Sequence, residues 1–363
     1  MKAANSSVPA SDKQFSVYVA SRANKIIFVL GIAIVIVLAV FPFWGGTPMT
    51  RRLVDFFSLM ALAQFWNLML GYAGLISVGQ QGYIGIGSYA LWLFADVLHV
   101  NPFIGVLIAA VAGAIIALPS AALVFKLKGG YLAIGTWVIA EILRLIVANI
   151  KSTGGGSGIT IQAAGDLGTD VRVPGTYWWA LGAALIAICV TYFLLRSRTG
   201  LALKAIRDND LAAESSGVNL WRTRLYTFVI AGAGCALVGA IVAIHLLRVQ
   251  PAAAFSVNWT AYLIFITVIG GVGTIEGPII GTIIFFALRE TTSKYGEWYF
   301  IVLGLLAIIV TVWSPKGIWG YVVKKANFFL FPLQRKLRII DKGAVPPSLG
   351  SGAEVVDGGK VAG

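Results

Sequence analysis

The sequence predicts an all-α, polytopic membrane helical bundle. It has about ten transmembrane segments, two glycine-rich broken or re-entrant helices and pseudo-repeated halves. Three observations predict this. Of the 363 residues 58% are hydrophobic and only 12% charged, with a mean hydropathy of +0.85, whereas soluble domains carry roughly 25% charged residues. Apolar stretches near the spanning length of about 20 residues follow one another along the chain, which favours helices over a barrel. Glycine and proline crowd into two of these stretches, and a broken helix is tolerated in a membrane only where it is buried in protein or lines a cavity.

In chain order, residues 1–25 form a polar arm with Lys2, Lys13, Arg22 and Lys25. The first apolar run, 26–43, is too long for a signal-peptide core and has no small-residue cleavage site behind it, so it reads as an uncleaved first helix. Further spans are expected at 53–70, 75–98, 103–125, 131–150, 177–195, 225–247, 258–275, 278–289 and 298–313. Two of these are not simple: 75–98 opens with GLISVGQQGYIGIGSYA, and 278–289 is short and follows GGVGTIEGP. The transmembrane domain therefore covers 26–320. A basic tail follows at 321–363, expected to be partly disordered from about residue 343.

The formal charge of +13 would suit nucleic acid, but its distribution fits membrane topology better. Twenty of the 28 basic residues fall on the side of the N terminus when ten spans are drawn, seven fall on the other side, and Arg144 lies within a span. Positive residues concentrate in the cytoplasm, so both termini are expected inside. Segment 196–224 is then cytoplasmic, and the Gly-, Thr- and Asp-rich loop 151–175 lies outside as either a flexible connector or a docking surface for an external partner. Cys189 and Cys235 sit in apolar spans and suit small core residues.

Segment 196–224 is the longest polar interruption between the first and last apolar spans. Thr199 can cap a short helix over 200–207. Asp208, Asn209 and Asp210 can restart a helix through LAAESS, and Gly217 is a natural helix stop. Helices this short are marginal alone in water, so something holds them. The segment is either an ordinary positive-inside loop or a docking element that transmits force, with Arg207, Asp208, Asp210 and Glu214 facing the cytoplasm.

No enzyme constellation is visible. His99 and His245 stand alone near span ends, and there is no phosphate-binding GxxxxGK[ST] sequence. No metal site or cofactor is expected, and any ATP is hydrolysed on another chain. Glu141 and Arg144, three apart on one span, can pair across a helical turn and are expected to face the protein interior; the pair is structural, or Glu141 serves a substrate or proton. Ser77, Gln80, Gln81 and Tyr83 place polar groups in the first glycine-rich element. Its freed amides suit a carboxylate, or its glycines serve close helix packing. The second element, with Gly271, Gly273 and Thr274, resembles the first, and paired interrupted helices point to a translocation path; chance likeness of glycine-rich helices is the alternative.

GYAGLISVGQQGYIGIGSYA, LKGGYLAIGTWVIAEILRL, TGGGSGIT, RTGLALKAIRDNDLAAESSGVN and GGVGTIEGPIIG, in that order, resemble the branched-chain amino acid ABC importer permeases of the LivM type. The likeness spans about residues 53–320. It implies a multi-pass protein of a bacterial inner membrane that pairs with a homologous LivH-type permease, two ATPase subunits and a periplasmic binding protein. It also implies that 196–224 contacts the ATPases, with Arg207, Asp208, Glu214 and Gly217 at matching positions. Permeases for urea and short amides are close cousins. A proton-coupled secondary transporter is the reading from a different class, and a membrane-embedded enzyme a third.

Overall fold

The computed structural model describes residues 14–18, 22–292, 298–314, 317–326 and 336–340. Hydrocarbon offers no partner to backbone N–H and C=O groups, so an apolar chain satisfies them inside helices. The first five long helices are α1 (Arg22–Val40), α2 (Thr47–Asn67), α3 (Gln80–Trp92), α4 (Pro102–Val124) and α5 (Gly130–Asn149). One π-helical turn extends α2 through Leu68–Tyr72 and another extends α3 through Leu93–Val97. Then come α6 (Gln162–Gly165), α7 (Gly168–Arg196), α8 (Arg198–Asp208), α9 (Asp210–Ser215) and α10 (Leu220–Leu246). The last are α11 (Pro251–Ala254), α12 (Val257–Gly270), α13 (Glu276–Thr292), α14 (Trp298–Trp313) and α15 (Gly317–Ala326). Among the described residues there are also four short strands: β1 (Gln14–Tyr18), β2 (Ile159–Thr160), β3 (Arg248–Val249) and β4 (Lys336–Ile340). Among the described residues seven helices are long and apolar enough to cross a membrane. The protein is an all-α polytopic membrane protein.

The chain forms two units, one of residues 35–328 and one of 1–34 with 329–363. In the second unit β1 pairs antiparallel with β4, Gln14 opposite Ile340 and Tyr18 opposite Lys336. The sequence reading placed no strand in the arm or tail. Both pieces are rich in β-forming residues, Val17 and Tyr18 in one and Ile339 and Ile340 in the other, and a partner strand supplies what neither has alone. The stretch from 343 onward, expected to be disordered, lies outside the described residues.

In the larger unit α2 and α10 form the centre, each with 78% of its spanning window buried. Helix α10 packs on α3, α4 and α2, while α2 also packs on α7, α12 and α13. Hydrophobicity alone does not drive helices together in lipid; close backbone approach does. A Cβ on Gly87 would fall on the backbone of Ala236, and one on Gly239 on the backbone of Ile84. Ser88 Oγ donates to Gly239 O across the same crossing at 2.9 Å. The glycines of GYIGIGSYA therefore serve packing, and α3 runs unbroken through them. The irregular backbone that the sequence reading spread over this element is confined to 74–79, before the helix starts.

The second glycine-rich element is likewise narrower than its sequence implies. Helix α13 begins at Glu276, its first turn taking in Gly277 and Pro278, because proline is well placed at a helix start. Only 271–275 is irregular. Helix α7 starts at Gly168, earlier than the expected 177, which shortens the 151–175 loop. The remainder is pinned rather than loose. Strand β2 pairs with β3, and Asp96 accepts from the backbone N–H groups of Gln162 and Ala163 at 3.0 and 2.8 Å. These contacts define one end of the bundle. The opposite end gathers 71–79, α8, α9 and 271–275, and α10 runs from that end to the β2–β3 end.

Candidate functional site

Two polar constellations occupy the end of the bundle that carries α8 and α9. The first lies where the chain leaves α2 and enters α3. Trp66 Nε1 donates to Ser77 O at 2.9 Å, which folds 74–79 back along the last turns of α2. Val78 N donates to Thr136 Oγ1 of α5 at 3.0 Å, so the start of α3 sits about two turns inside the bundle. Gln80 and Gln81 follow, both fully buried. Gln80 Nε2 donates to Ser77 Oγ at 3.0 Å, and Gln80 Oε1 accepts from Cys235 Sγ at 3.6 Å. Thr260 Oγ1 donates to Gln81 Oε1. The Tyr83 hydroxyl bonds with Ser120, and its ring packs edge-on against Phe228 at 5.9 Å between centroids. A small crevice of about 10 Å³, room for about one water, opens beside Gly79, Tyr83, Ser120, Thr136 and Ala140. Every polar group in this set is a neutral amide, hydroxyl or thiol. These groups offer hydrogen bonds and form no nucleophile–base pair among themselves. Among the described residues no group of His, Cys, Asp or Glu is arranged to hold a metal.

The second constellation joins the end of α2 to the second irregular stretch. Asn67, in the last turn of α2 and fully buried, accepts from Gly273 N and donates to Thr274 O, each at 2.8 Å. Thr274 Oγ1 donates to Gly271 O at 2.9 Å and accepts from Gly277 N at 3.0 Å. Gly273 has φ +77° and Gly271 φ +136°, a region where a Cβ is strained. Glu276 is buried at the start of α13. The sequence reading singled out Gly271, Gly273 and Thr274 but passed over Asn67, Thr136, Thr260 and Glu276. An asparagine inside an otherwise apolar span was the available signal for Asn67.

Helices α8 and α9 rest on this end. Leu203, Ile206 and Ala213 are buried beneath them. Ser197, not Thr199, is the cap of α8, because the helix starts at Arg198 and the Ser197 hydroxyl accepts from Gly200 N. Asn209 caps α9, accepting from Ala212 N at 3.2 Å. Gly217 has φ +85° and ends the pair. The four charges expected to face outward all keep exposed side chains, and two of them also bond back to the bundle. Asp208 is 71% exposed and Glu214 is exposed. Arg207, its side chain 40% exposed, also reaches the bundle, its Nη1 donating to Gly71 O at 2.9 Å. Asp210 turns back to α10 and takes Arg224 Nη2 at 2.7 and 2.8 Å. Orphan carbonyls at the end of α2 and an otherwise unpaired Arg224 supply the partners.

Glu141 and Arg144 do pair, with Arg144 Nε 2.9 Å from both carboxylate oxygens. They stand apart from both constellations, in the middle of α5. Their side chains are 46% and 30% exposed, so they do not face the interior of this chain as expected. Only 22% of the α5 window is buried.

Residues 48–311 match the family model described as the branched-chain amino acid transport system permease component. The chain belongs to this family. Among similar proteins of the family is the high-affinity branched-chain amino acid transport system permease protein LivM of Escherichia coli, 28% identical over 320 residues that cover 79% of this chain and 73% of the relative. A probable branched-chain amino acid transport permease protein LivM of Methanocaldococcus jannaschii is 24% identical over 305 residues, 69% of this chain and 87% of the relative. The permease protein LivH of Salmonella typhimurium is 30% identical over 138 residues, 38% of this chain and 44% of the relative. No solved structure matches the chain.

Proposed function

We propose that this permease is the membrane subunit of an ATP-driven importer for branched-chain or related amino acids. It works by alternating access, with ATP hydrolysed on two separate ATPase subunits and no cofactor or enzymatic step on this chain. The observation that carries the reading is the α8–α9 pair: two short helices that cannot stand alone, seated on buried Leu203, Ile206 and Ala213, with Arg207 bonded into the bundle and Asp208 and Glu214 facing out. A motor bound at Asp208, Glu214 and the Gly217 turn pushes there, and Arg207 and Asp210 hand the push to α2 and α10.

The substrate class follows the family description and the names of the relatives. The path runs past Ser77, Gln80, Gln81 and Tyr83 beside the small crevice at Gly79 and Thr136, and past Gly271, Gly273 and Thr274 between α12 and α13. The seven long apolar helices together with α1, α3 and α13 make ten traverses. Both termini and α8–α9 then lie in the cytoplasm of a bacterial inner membrane, and the β2–β3 end meets a periplasmic binding protein. An ion pair at the centre of α5 is costly against lipid, about 2.5–3.5 kcal/mol for each charge on insertion scales. Its exposure supports a protein cover for that face, and a homologous LivH-type permease is the cover we assign.

The test is coupling in the reconstituted complex of both permeases, both ATPases and the binding protein. Glu214→Arg reverses an exposed charge, and Gly217→Val strains a turn at φ +85°. Both variants should reach the membrane at near-normal level and lose uptake driven by hydrolysis. Full substrate-stimulated hydrolysis and uptake in both would overturn the coupling role of α8–α9.

A further inference from the structure

Arg207 lies in the last turn of α8, and its Nη1 reaches across to Gly71 O, at the end of α2, at 2.9 Å. Gly74 lies beneath it, where a Cβ would stand 3.6 Å from Arg207 Cα. The last turn of α8 therefore sits on the end of α2 and on Gly74 of the irregular stretch that follows. One turn back from Gly71 is Asn67. An asparagine amide both accepts and donates, and here both functions go to one target, Gly273 N and Thr274 O, each at 2.8 Å. That target is the irregular stretch between α12 and α13.

The end of α2 also touches the second stretch directly. A Cβ on Gly71 would stand 2.6 Å from Gly273 N, and Gly273 has its own Cβ position 3.2 Å from Arg207 Nη1. Gly71, Gly273 and Arg207 are therefore in close mutual contact. Thr274 braces the second stretch to Gly271 O and to Gly277 N in the first turn of α13. A Cβ on Gly317, at the start of α15, would meet Gly271 Cα, so α15 lies on the same point.

We propose that Arg207 and Asn67 are two positioning joints in series, through which a displacement of α8 carries both irregular stretches, and with them α3 and α13, as one body. Arg207 is the joint to the end of α2 and the stretch that follows it, and Asn67 the joint to the second stretch. This rests on the coupling reading above. It assigns the transmission to two named side chains, one of them a neutral amide buried in α2.

The experiment measures substrate taken up per ATP hydrolysed in proteoliposomes holding the full complex. Asn67→Ala and Arg207→Met should each lower that ratio about tenfold, the size expected for losing the hydrogen bonds of one joint. The double variant should fall no further than the lower single, because the joints act in series. Arg207→Lys keeps one donor for Gly71 O and should retain most of the ratio. Ser88→Ala removes a buried bond between α3 and α10, away from the joints, and should leave the ratio unchanged. Wild-type coupling in Asn67→Ala, with Glu214→Arg uncoupled, would overturn the joints and leave the coupling role of α8–α9 standing. Wild-type coupling in Glu214→Arg as well would remove the coupling reading itself. If Asn67→Ala does not assemble, Arg207→Met decides alone: its side chain is 40% exposed, and a wild-type ratio there also overturns the joints.

Discussion

Gly87 is the residue at which the α3–α10 crossing is most sensitive. A Cβ there would fall on the carbonyl of Ala236, and neither helix backbone can yield without repacking the other. Gly87→Ala should cost at least about 1–3 kcal/mol, the range for overpacking a filled core. Gly182 of α7 has nothing within 4 Å of its Cβ position, so Gly182→Ala should be neutral or gain roughly 0.5–1 kcal/mol from helix propensity. Thermal melting of the two variants in detergent checks the contrast; equal losses would mean the glycines of α3 are not packing residues. The Glu141–Arg144 pair gives a second prediction. Glu141→Gln strands the arginine charge on an exposed mid-membrane face, and breaking such a pair is destabilising. The variant should copurify less of the second permease, and Glu141→Gln/Arg144→Gln should recover part of the loss. Uptake per assembled complex should survive in both. Undiminished copurification with loss of proton-dependent uptake would instead make Glu141 a transport carboxylate.

At the scale of the element, α8 and α9 show what capping contributes. A serine or threonine cap is worth about 1 kcal/mol, a large share of the stability of an eleven-residue helix. Ser197→Ala should therefore speed amide exchange across 198–203, while Thr199→Ala should not, since the Ser197 hydroxyl is the one that accepts from Gly200 N. The reverse pattern would restore Thr199 as the cap. Both residues are cap types one turn from the same apolar positions, and their order along the chain does not choose between them. The choice depends on where α7 ends, and α7 runs through Arg196. The bond from Arg207 to the bundle was hidden for a similar reason. Its acceptor, Gly71 O, is 136 positions away, and no local pattern announces a carbonyl.

For the whole molecule the testable quantity is sidedness. The bundle has two distinct ends, one with Ser157 near β2 and β3 and one with Asn209 between α8 and α9. In a background lacking Cys189 and Cys235, an impermeant thiol reagent on intact cells should modify Ser157→Cys and spare Asn209→Cys. Labelling of Asn209→Cys alone would invert the topology and put α8–α9 out of reach of a cytoplasmic motor. The basic residues already favour one answer, because the bias is a property of the chain and not of its packing.

Composition and periodicity by themselves determined that this is a helical membrane protein, where its long spans lie, and that 196–224 forms two short helices ending at Gly217. These depend on local chemistry: apolar runs of spanning length, cap residues and a left-handed glycine. Only the tertiary structure decided what the glycines of α3 are for, since the same spacing serves a broken helix or a tight crossing until the Ala236 backbone is seen against Gly87. It alone brought Asn67 to Gly273 and Arg207 to Gly71, because hydrogen bonds between residues more than a hundred positions apart leave no periodic trace. The irregular stretches shrank to 74–79 and 271–275 for the same physical reason: a helix continues through glycine wherever a neighbouring backbone fills the space that a side chain would have taken.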